Sequence, residues 1–343
     1  MRILILGGTW FLGRAVAEEA VTRGHDVTTF NRGQSGPDAP GTHPVHGDRE
    51  DLRDLARLAA SGSWDAVIDT SGQVPRTVAA SARALAGHAG RYVLVSTVSV
   101  YQGWPVEPLT EESAVLDCPP EAGPDYGENH PRGYPRRYGF QKAGCERAIT
   151  TFFPGATVIL RPGVILGPHE YIGRLPWWLR RIEQGGTVLA PGDPARPIQP
   201  ADVRDVAAFA VAAAAGLTGV FNVTAPPGHA TYGSLLTACQ QATGSDADFT
   251  WASDEFLLRH GVRQWTEIPL WRVYPGTWNV SSARARAAGL TCRPIHDTVT
   301  GTWKWMTAGG TTISHHRQAA IGLDAARERD LLAAWEDSQD IAG

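Results

Sequence analysis

A tyrosine and a lysine four residues apart, Tyr138 and Lys142, are the clearest candidates for chemistry in this sequence. On a helix, this spacing places the phenol and the ammonium on one face. A free tyrosine has a pKa near ~10, and a neighbouring cation favours the phenolate, so the pair could exchange protons at neutral pH. Of the 31 lysines and arginines only two are lysines, and chance predicts about 0.05 such pairs. The pair therefore predicts a catalytic acid/base.

A threonine after the fifth predicted strand completes the candidate catalytic set. Ligands of open α/β sheets bind at the carboxyl ends of strands, where Thr97 can donate a hydrogen bond to a substrate oxygen. A hydroxyl at a strand end is more often a cap, but the Tyr/Lys pair downstream favours catalysis. The candidate substrate contacts are Ser99, Tyr101, Arg196 and Gln199.

A glycine-rich turn joins the first predicted strand to the first predicted helix. Its glycines allow a tight turn and close packing, and the free N–H groups of the helix can bind a pyrophosphate. Trp10 stands where a glycine is often found, so we expect its side chain to point away from the phosphates. A plain strand–helix turn is the alternative, but the position inside a βαβ unit favours dinucleotide binding. The candidate contacts are Gly7, Thr9, Trp10, Phe11, Leu12 and Gly13.

The ends of the following strands bear on the choice of cofactor. An acid after the second strand would hold the ribose 2′-hydroxyl of NAD, but here Asn31 is followed by Arg32, which accommodates a 2′-phosphate. The sequence therefore predicts NADP as the preferred cofactor, with NAD as the alternative. Asp48, after the third strand, could contact the adenine amino group or could cap the next helix. Further candidate cofactor contacts are Arg49, Thr70 and Ser71.

Short apolar strands that alternate with helices must position these residues. The alternation indicates βαβ units and a parallel sheet whose strands are buried on both faces. We predict an α/β class, doubly wound Rossmann fold with a smaller, mixed α/β C-terminal part. Residues 1–165 plus 201–225 would bind NAD(P), and residues 166–200 plus 226–343 would bind the substrate. The predicted strands are Ile3–Leu6, Val27–Phe30, Pro44–His46, Ala66–Asp69, Tyr92–Ser96, Thr157–Leu160 and Val220–Val223. The predicted helices are Leu12–Arg23, Leu52–Ala60, Thr77–Ala86, Tyr138–Thr150, Val203–Ala215 and Leu323–Asp337.

Two regions depart from this alternation. Gln102–Arg137 has seven prolines and seven acids in 36 residues, and loops this long are usually functional. We predict a mobile lid that orders over the substrate. The alternatives are a disordered excursion or a static loop that packs against the tryptophan-rich region and builds a pocket wall. That region, Pro226–Met306, holds six of the twelve tryptophans, which predicts a core with some rings lining an apolar pocket.

The composition argues against several other classes of protein. An apolar content of 43% and a charged content of 19% are typical of a globular enzyme, and the net charge of −4 gives no support for nucleic acid or anionic lipid as the main partner. The longest apolar stretch, 207–217, is too short to span a bilayer. The four cysteines form no CxxC pair, so we expect reduced thiols, no metal site and a cytoplasmic protein.

Taken together, these motifs resemble the extended short-chain dehydrogenase/reductase family, which includes NAD-dependent epimerases and dehydratases. The resemblance implies that Tyr138 is the general acid/base, that Lys142 binds the ribose and lowers the tyrosine pKa, and that Thr97 holds the reacting oxygen. It also implies that backbone near Pro162 and Val164 meets the nicotinamide. It covers most of the first 225 residues and includes, besides the turn and the Tyr/Lys pair, Ser96-Thr97, Val100-Tyr101, Thr110-Glu111, Leu160-Arg161-Pro162, Gly167-Pro168 and Asp202–Ala207.

Departures from the family pattern leave the substrate open. Val98 and Ser99 stand where 4,6-dehydratases have an Asp-Glu pair, and Ile198 stands where sugar-nucleotide enzymes commonly have an arginine for a phosphate. The Trp10 turn and residues 196–199 are more similar to an atypical branch of reductases that also resembles chloroplast RNA-binding members.

The leading interpretation is an NADP-dependent oxidoreductase, a carbonyl reductase or alcohol dehydrogenase that acts on a small metabolite by hydride transfer. The alternatives are an NAD(P)-dependent sugar or sugar-nucleotide epimerase and a non-catalytic cofactor-sensing or RNA-binding module. We expect a small-molecule substrate, no nucleic-acid or membrane partner, and a homodimer as the candidate assembly.

Overall fold

The computed structural model describes residues 1–128, 136–310 and 315–342. Strands and helices alternate in its first half, as the sequence predicts. In chain order these are β1 (Arg2–Leu6), α1 (Phe11–Thr22), β2 (Asp26–Asn31), β3 (His43–His46), α2 (Leu52–Ala60), β4 (Ala66–Asp69), α3 (Pro75–Ala84), β5 (Arg91–Val95), α4 (Arg137–Phe152) and β6 (Ala156–Pro162). They are followed by β7 (Ile165–Leu166), α5 (Arg174–Glu183), β8 (Thr187–Pro191), β9 (Pro197–Ile198), β10 (Ala201–Asp202), α6 (Val203–Gly216), β11 (Gly219–Val223), β12 (Ala230–Thr231), α7 (Tyr232–Thr243), β13 (Asp248–Ala252), α8 (Asp254–Arg259), α9 (Ala283–Ala287), α10 (Ile295–Thr307) and α11 (Ala325–Ala342).

All seven predicted strands lie in one parallel sheet, in the order β11-β6-β5-β4-β1-β2-β3. The central strand β1 pairs with β2 on one side and with β4 on the other, and its residues 3–6 are fully buried. The strand order reverses at β1, so the carboxyl ends of β1 and β4 flank the crevice where open α/β sheets bind ligands. The predicted doubly wound Rossmann fold is confirmed.

Helices cover both faces of the sheet. α1 and α6 pack on one face, where Val16 and Phe209 belong to the core, and α2, α3 and α4 cover the other, where Leu55 and Ile149 are buried. The predicted helices are all present. α3 begins at Pro75, two residues earlier than predicted, because proline at the first helical position has its φ already fixed.

A second hydrophobic core lies in the C-terminal part of the chain. α5, α7 and α10 pack together beside the parallel pair β8 and β13, and Trp178 and Trp271 are fully buried there. α11 closes this core, since Glu328 pairs with Arg181 at 2.5 Å and accepts a hydrogen bond from the backbone N–H of Leu189 at 3.1 Å. Within the described residues, no helix has the length and apolar character that crossing a bilayer requires.

The described part of the segment Gln102–Arg137 is packed against the body of the protein. Leu116 and Cys118 are buried in a small core with α4. Leu109 is also buried, and its backbone pairs with residues 279–281 of the tryptophan-rich region. This packing agrees with the alternative of a static pocket wall. Any lid formed by residues 129–135 lies outside the described residues.

Candidate active site

The glycine-rich turn forms a cradle at the carboxyl end of β1. Gly7 has a φ of +112°, and a Cβ at Gly7 or Gly13 would lie 2.6 or 2.7 Å from the Thr70 hydroxyl, so only glycine fits this approach. α1 begins at Phe11, and within the described chain its N-terminus has no side-chain cap and no acid in its first turn. The N–H groups of its first turn are therefore available to a pyrophosphate, and the residues present fit a dinucleotide cofactor.

Trp10 links this turn to the second part of the chain. Its indole packs on Tyr171, with ring centroids 4.4 Å apart, and on His315 at 5.6 Å. Tyr171 and His315 also contact each other at 4.9 Å. The Trp10 indole is thus engaged in this aromatic cluster, while the backbone of the turn forms the cradle.

The structure places an acidic side chain, that of Asp38, at the end of β2, although no acid directly follows this strand in the sequence. The amide of Asn31 donates to Asp38 Oδ1 at 2.7 Å, Thr29 donates to the same oxygen at 2.9 Å, and His46 Nε2 lies 3.0 Å from Asp38 Oδ2. Burial alone would raise the pKa of Asp38, but these hydrogen bonds outweigh burial and lower it. Arg32 is exposed beside them.

Sequence reasoning missed Asp38 because it follows the strand by seven residues. The available signal was that it is the only acid between Asn31 and Asp48.

Asp48 does not cap α2, so that alternative is wrong. Asp51 is the N-cap, accepting from the N–H of Arg53, whereas Asp48 accepts from the N–H of Glu50 at 2.9 Å within the preceding turn. The residue that caps α2 therefore lies three positions further along the chain than Asp48.

Arg49, expected to contact the cofactor, is bound within the protein. Its guanidinium donates two hydrogen bonds to Asp69, at 2.9 and 2.8 Å, and others to Ser71 and Ser81. Tyr92 donates to the same carboxylate at 2.7 Å. Asp69 is fully buried, which would raise its pKa, but Arg49 and these hydrogen bonds lower it and keep the carboxylate charged. The network fixes the carboxyl end of β4.

Two hydroxyl side chains that follow β4 bind the backbone just before the glycine-rich turn. Thr70 and Ser71 both donate to the carbonyl of Leu6, at 3.1 and 3.0 Å. They bring the end of β4 against the end of β1 and line the crevice below the cradle.

Lys142 lies on α4 with its ammonium at the ends of β4 and β5. Its Nζ donates to the carbonyls of Gly72 and Val95, at 2.6 and 2.5 Å. The side chain is buried, and this burial lowers the pKa of Lys142, while Cys145 and Asp69 oppose the shift. A buried ammonium bound to carbonyl groups is held in a fixed position at the crevice.

Tyr138 lies one turn before Lys142 and close to Thr97. Its side chain is 48% exposed, yet desolvation of its hydroxyl raises its pKa, while a side-chain hydrogen bond with Thr97 lowers it. The cations with the largest effect on this pKa are Arg317 and Arg174. The sequence predicts that role for Lys142, whose ammonium is bound instead to the two backbone carbonyls.

A glycine permits this approach of α4 to Thr97. Thr97 Oγ1 accepts from the N–H of Ser99 at 3.2 Å and begins the short 3-10 turn Val98–Val100. A Cβ at Gly139 would lie 2.2 Å from the carbonyl oxygen of Ser99. The helix therefore touches the turn at backbone distance, and Tyr138 lies beside Thr97.

Glu146 anchors the same helix from below. Its carboxylate accepts from the Ser96 hydroxyl and forms a buried pair with Arg161, at 2.9 and 2.5 Å. The available sequence signal was a glutamate four residues after Lys142. Together these contacts fix α4 against the ends of β5 and β6.

The other predicted residues differ in how their polar groups are used. The Tyr101 hydroxyl donates to Asn222 at 2.7 Å, the Gln199 amide donates to the carbonyls of Ala225 and Val280, and Arg196 pairs with Asp254. Tyr101 and Gln199 are buried, so these two support the fold around the site. Pro162 ends β6, and the carbonyl of Val164 accepts from the N–H of Ala201 at 2.8 Å.

The model of the NAD dependent epimerase/dehydratase family matches residues 3–223, which is more than half of the chain. The chain belongs to this family. This is a family of NAD(P)-dependent enzymes, and the protein is an enzyme of this class.

Curated relatives are similar to part of the chain. The chloroplast stem-loop binding protein of 41 kDa b from Arabidopsis thaliana is 26% identical over 204 residues, covering 55% of this chain and 49% of that protein. The 2-alkyl-3-oxoalkanoate reductase of Stenotrophomonas maltophilia is 31% identical over 191 residues, covering 50% and 52%. The chain thus spans about half the length of the curated relatives it matches.

Solved structures share the fold over nearly the whole chain. A UDP-glucose 4-epimerase of Thermotoga maritima has a TM-score of 0.67 at 17% identity, covering 90% of this chain and 99% of that one. The Bordetella bronchiseptica enzyme WbmH, solved with NAD+, has a TM-score of 0.68 at 17% identity and the same coverage.

Proposed function

We propose that the protein is an NADP(H)-dependent oxidoreductase that reduces a carbonyl, or oxidises an alcohol, on a small metabolite. The observation that carries this proposal is the approach of Tyr138 to Thr97 at the carboxyl end of β5, beside the cradle for a dinucleotide. The 31% identity to a 2-alkyl-3-oxoalkanoate reductase supports a net redox reaction. Among the described residues, no three histidine, cysteine or acidic side chains cluster as metal ligands.

In this proposal the substrate oxygen is held between two hydroxyls. Thr97 and Tyr138 donate hydrogen bonds to it, which stabilises the negative charge that develops on oxygen during carbonyl reduction. When bound, the cofactor supplies the hydride. Tyr138 then gives its proton to the alkoxide, or removes the proton of the alcohol in the reverse direction. Lys142 is the proposed ribose ligand, and the charges of Arg317 and Arg174 favour the phenolate of Tyr138.

The cofactor would lie along the crevice, and we propose that NADP(H) binds more tightly than NAD(H). The exposed Arg32 is the ligand for the 2′-phosphate, while Asn31 supports the β2 end through Asp38. Ser99 is the proposed substrate contact among the hydroxyls near Thr97. The remaining proposed cofactor contacts are Gly7, Thr9, Trp10, Phe11, Leu12, Gly13, Asp48, Thr70, Ser71, Pro162 and Val164.

Removal of the phenolic proton tests the catalytic proposal. Tyr138→Phe should lower kcat by about 10²–10⁴-fold, because it deletes the general acid/base, while the cofactor Kd changes little. The matched control is Tyr126→Phe, another exposed tyrosine, which should keep wild-type turnover. Steady-state kinetics of NADPH oxidation with a panel of carbonyl compounds measures both variants. Wild-type turnover in Tyr138→Phe would refute the mechanism.

A pair of variants at the end of β2 tests cofactor choice. Arg32→Ala should raise the Kd for NADP+ roughly tenfold or more, because a charge-assisted hydrogen bond to phosphate is removed. This rise should erase the preference for NADP+. Asp38→Asn removes a negative charge near the same place and should not weaken NADP+ binding. Calorimetric titration of each protein with NADP+ and NAD+ measures this. Tighter binding of NAD+ by the wild type would refute the assignment of Arg32.

An epimerase is the second candidate, and the purified protein distinguishes it. An epimerase would carry stoichiometric cofactor and show no net oxidation of added NADPH, whereas the proposed reductase exchanges its cofactor at each turnover. We further propose that residues 1–165 plus 201–225 bind the cofactor and residues 166–200 plus 226–343 bind the substrate. A cytoplasmic location is supported by four free thiols, and a homodimer is the assembly that solution scattering would test.

A further inference from the structure

Arg174 is a buried arginine that the proposed chemistry does not use. It begins α5, and only 9% of its side chain is exposed. Its nearest acid is Glu170, at 3.9 Å, but the two oxygens of Glu170 accept hydrogen bonds from the backbone N–H groups of Arg174 and Leu175, at 3.0 and 3.1 Å. Within the described chain, Arg174 Nε has no hydrogen-bond partner. A buried guanidinium with an unsatisfied donor is costly unless a ligand completes it.

The position of Arg174 ties it to the catalytic tyrosine. Its guanidinium lies 5.3 Å above the ring of Trp265, and it follows Tyr171, which packs on Trp10 of the glycine-rich turn. Its charge acts on the hydroxyls of Tyr138 and Tyr171, as does that of the exposed Arg317. Arg174 therefore lies between the cofactor cradle, the catalytic tyrosine and the tryptophan-rich region.

Aromatic rings continue from Arg174 away from the cradle. The guanidinium of Arg272 lies 4.5 Å from the ring of Trp265 and 4.9 Å from that of Trp104, and Trp278 packs on Trp265 with centroids 5.8 Å apart. This wall joins the segment after β5 to the second core. Arg272 covers part of Trp104 and Trp265, but both rings are only half-buried, and their uncovered parts offer an apolar surface to the part of a ligand that extends beyond the charged group.

We propose that Arg174 binds a carboxylate of the substrate, close to the carbon whose oxygen meets Thr97 and Tyr138. The substrate would then be a keto acid or hydroxy acid whose apolar remainder lies on the Trp104 and Trp265 rings. Glu170, 3.9 Å from Arg174, partly balances the charge of that guanidinium, which suits a singly charged carboxylate better than a doubly charged phosphate. This inference rests on the proposed function, because it assigns the substrate of the same site.

The test uses inert ligands, so that it does not depend on turnover. Octanoate, the neutral isostere octanamide and octyl phosphate are titrated by calorimetry into the full-length protein saturated with NADP+. Wild type is compared with Arg174→Gln and with Arg174→Lys. The control is Arg180→Gln, which makes the same change at an exposed arginine of the same helix. Cofactor affinity and thermal unfolding show whether each variant is folded.

We expect octanoate to bind at least tenfold more tightly than octanamide and more tightly than octyl phosphate. Arg174→Gln should remove that difference, Arg174→Lys should retain part of it, and Arg180→Gln should keep it whole. Equal binding of octanoate and octanamide to the wild type, or full octanoate binding by folded Arg174→Gln, would overturn the proposal. If the wild type binds octyl phosphate more tightly than octanoate, the proposal of a carboxylate is wrong and the site prefers a phosphate.

If Arg174→Gln does not fold, the proposal is still tested by the affinities of the wild type for octanoate and octanamide and by octanoate binding to Arg174→Lys. If octanoate binds as expected but no carbonyl compound is turned over, the carboxylate site stands and the proposed oxidoreductase function fails. If turnover is found only with neutral compounds, the function stands and the carboxylate site fails.

Discussion

Adding one methyl group at Gly139 should separate the two hydroxyls of the proposed catalytic site. The Cβ of Gly139→Ala would lie 2.2 Å from the Ser99 carbonyl oxygen and 3.0 Å from a methyl group of Leu116. An ordinary contact requires ~3.5 Å, so the helix and the turn must move apart by roughly 1 Å. The other end of the helix is anchored through Glu146, so we expect its first turn, with Tyr138, to take up most of this shift.

The expected loss is large in rate and moderate in stability. A misplacement of ~1 Å in a reacting group can cost about 10²-fold in turnover, and overpacking typically costs about 1–3 kcal/mol of unfolding free energy. NADPH oxidation measures turnover, and urea unfolding measures stability. Cofactor affinity should stay near the wild-type value, because the glycine-rich turn is not displaced.

The matched control lies on the same helix. A Cβ at Gly144 would meet side-chain atoms of Pro75 at 2.5 Å and Cys118 at 2.6 Å, on the side of α3. Gly144→Ala should therefore destabilise the protein by a similar amount and lose much less turnover. Wild-type turnover and stability in Gly139→Ala, or equal loss of turnover in both variants, would refute this account of the contact.

Two buried charges give further expectations. Lys142→Ala should raise the cofactor Kd roughly tenfold or more and also lower turnover, because a charge-assisted hydrogen bond is lost; an unchanged Kd in a titration would contradict its role at the ribose. Asp69→Asn should lower the unfolding free energy by ~3–5 kcal/mol in urea, because Arg49 loses its buried counter-ion, whereas Asp51→Asn, at an exposed cap, should change it little. The pKa of Asp69 is lowered in the folded state, so its stabilisation is present above pH ~4 and is lost as the pH falls through that lower pKa. Unfolding of the wild type should therefore be more acid-sensitive than that of Asp69→Asn, and equal sensitivity would count against the pair.

The sequence predicted the elements well because their signals are local. A strand buried on both faces is a short apolar run, and all seven such runs became strands of one sheet. The Tyr/Lys spacing is likewise contained in one helix. Residues 166–200 and 226–343 gave fewer such signals, and there the prediction reached only a mixed α/β part with one helix near the end of the chain.

Partners that are distant in the chain escaped sequence reasoning. Arg49 meets Asp69 across twenty residues, and Asp38 returns to the end of β2 from a loop. The charge of Arg174, on α5, acts on the hydroxyl of Tyr138, on α4, and no local pattern links the two residues. The prolines and acids of the segment after β5 suggested a lid, yet apolar residues of its described part, such as Leu109, are buried against the rest of the protein. Composition indicates that a segment is irregular, but tertiary contacts decide whether it is held.

The packing of Trp10 on Tyr171 gives the two proposed ligands of this enzyme a shared contact. Trp10 belongs to the turn proposed to receive the dinucleotide, and Tyr171 lies three residues before the arginine proposed to hold the substrate. A ligand that shifts one ring must alter the packing of the other. Thermodynamic reciprocity then requires that each ligand change the affinity of the other by the same factor. The affinities of the dinucleotide and of the substrate should accordingly depend on each other.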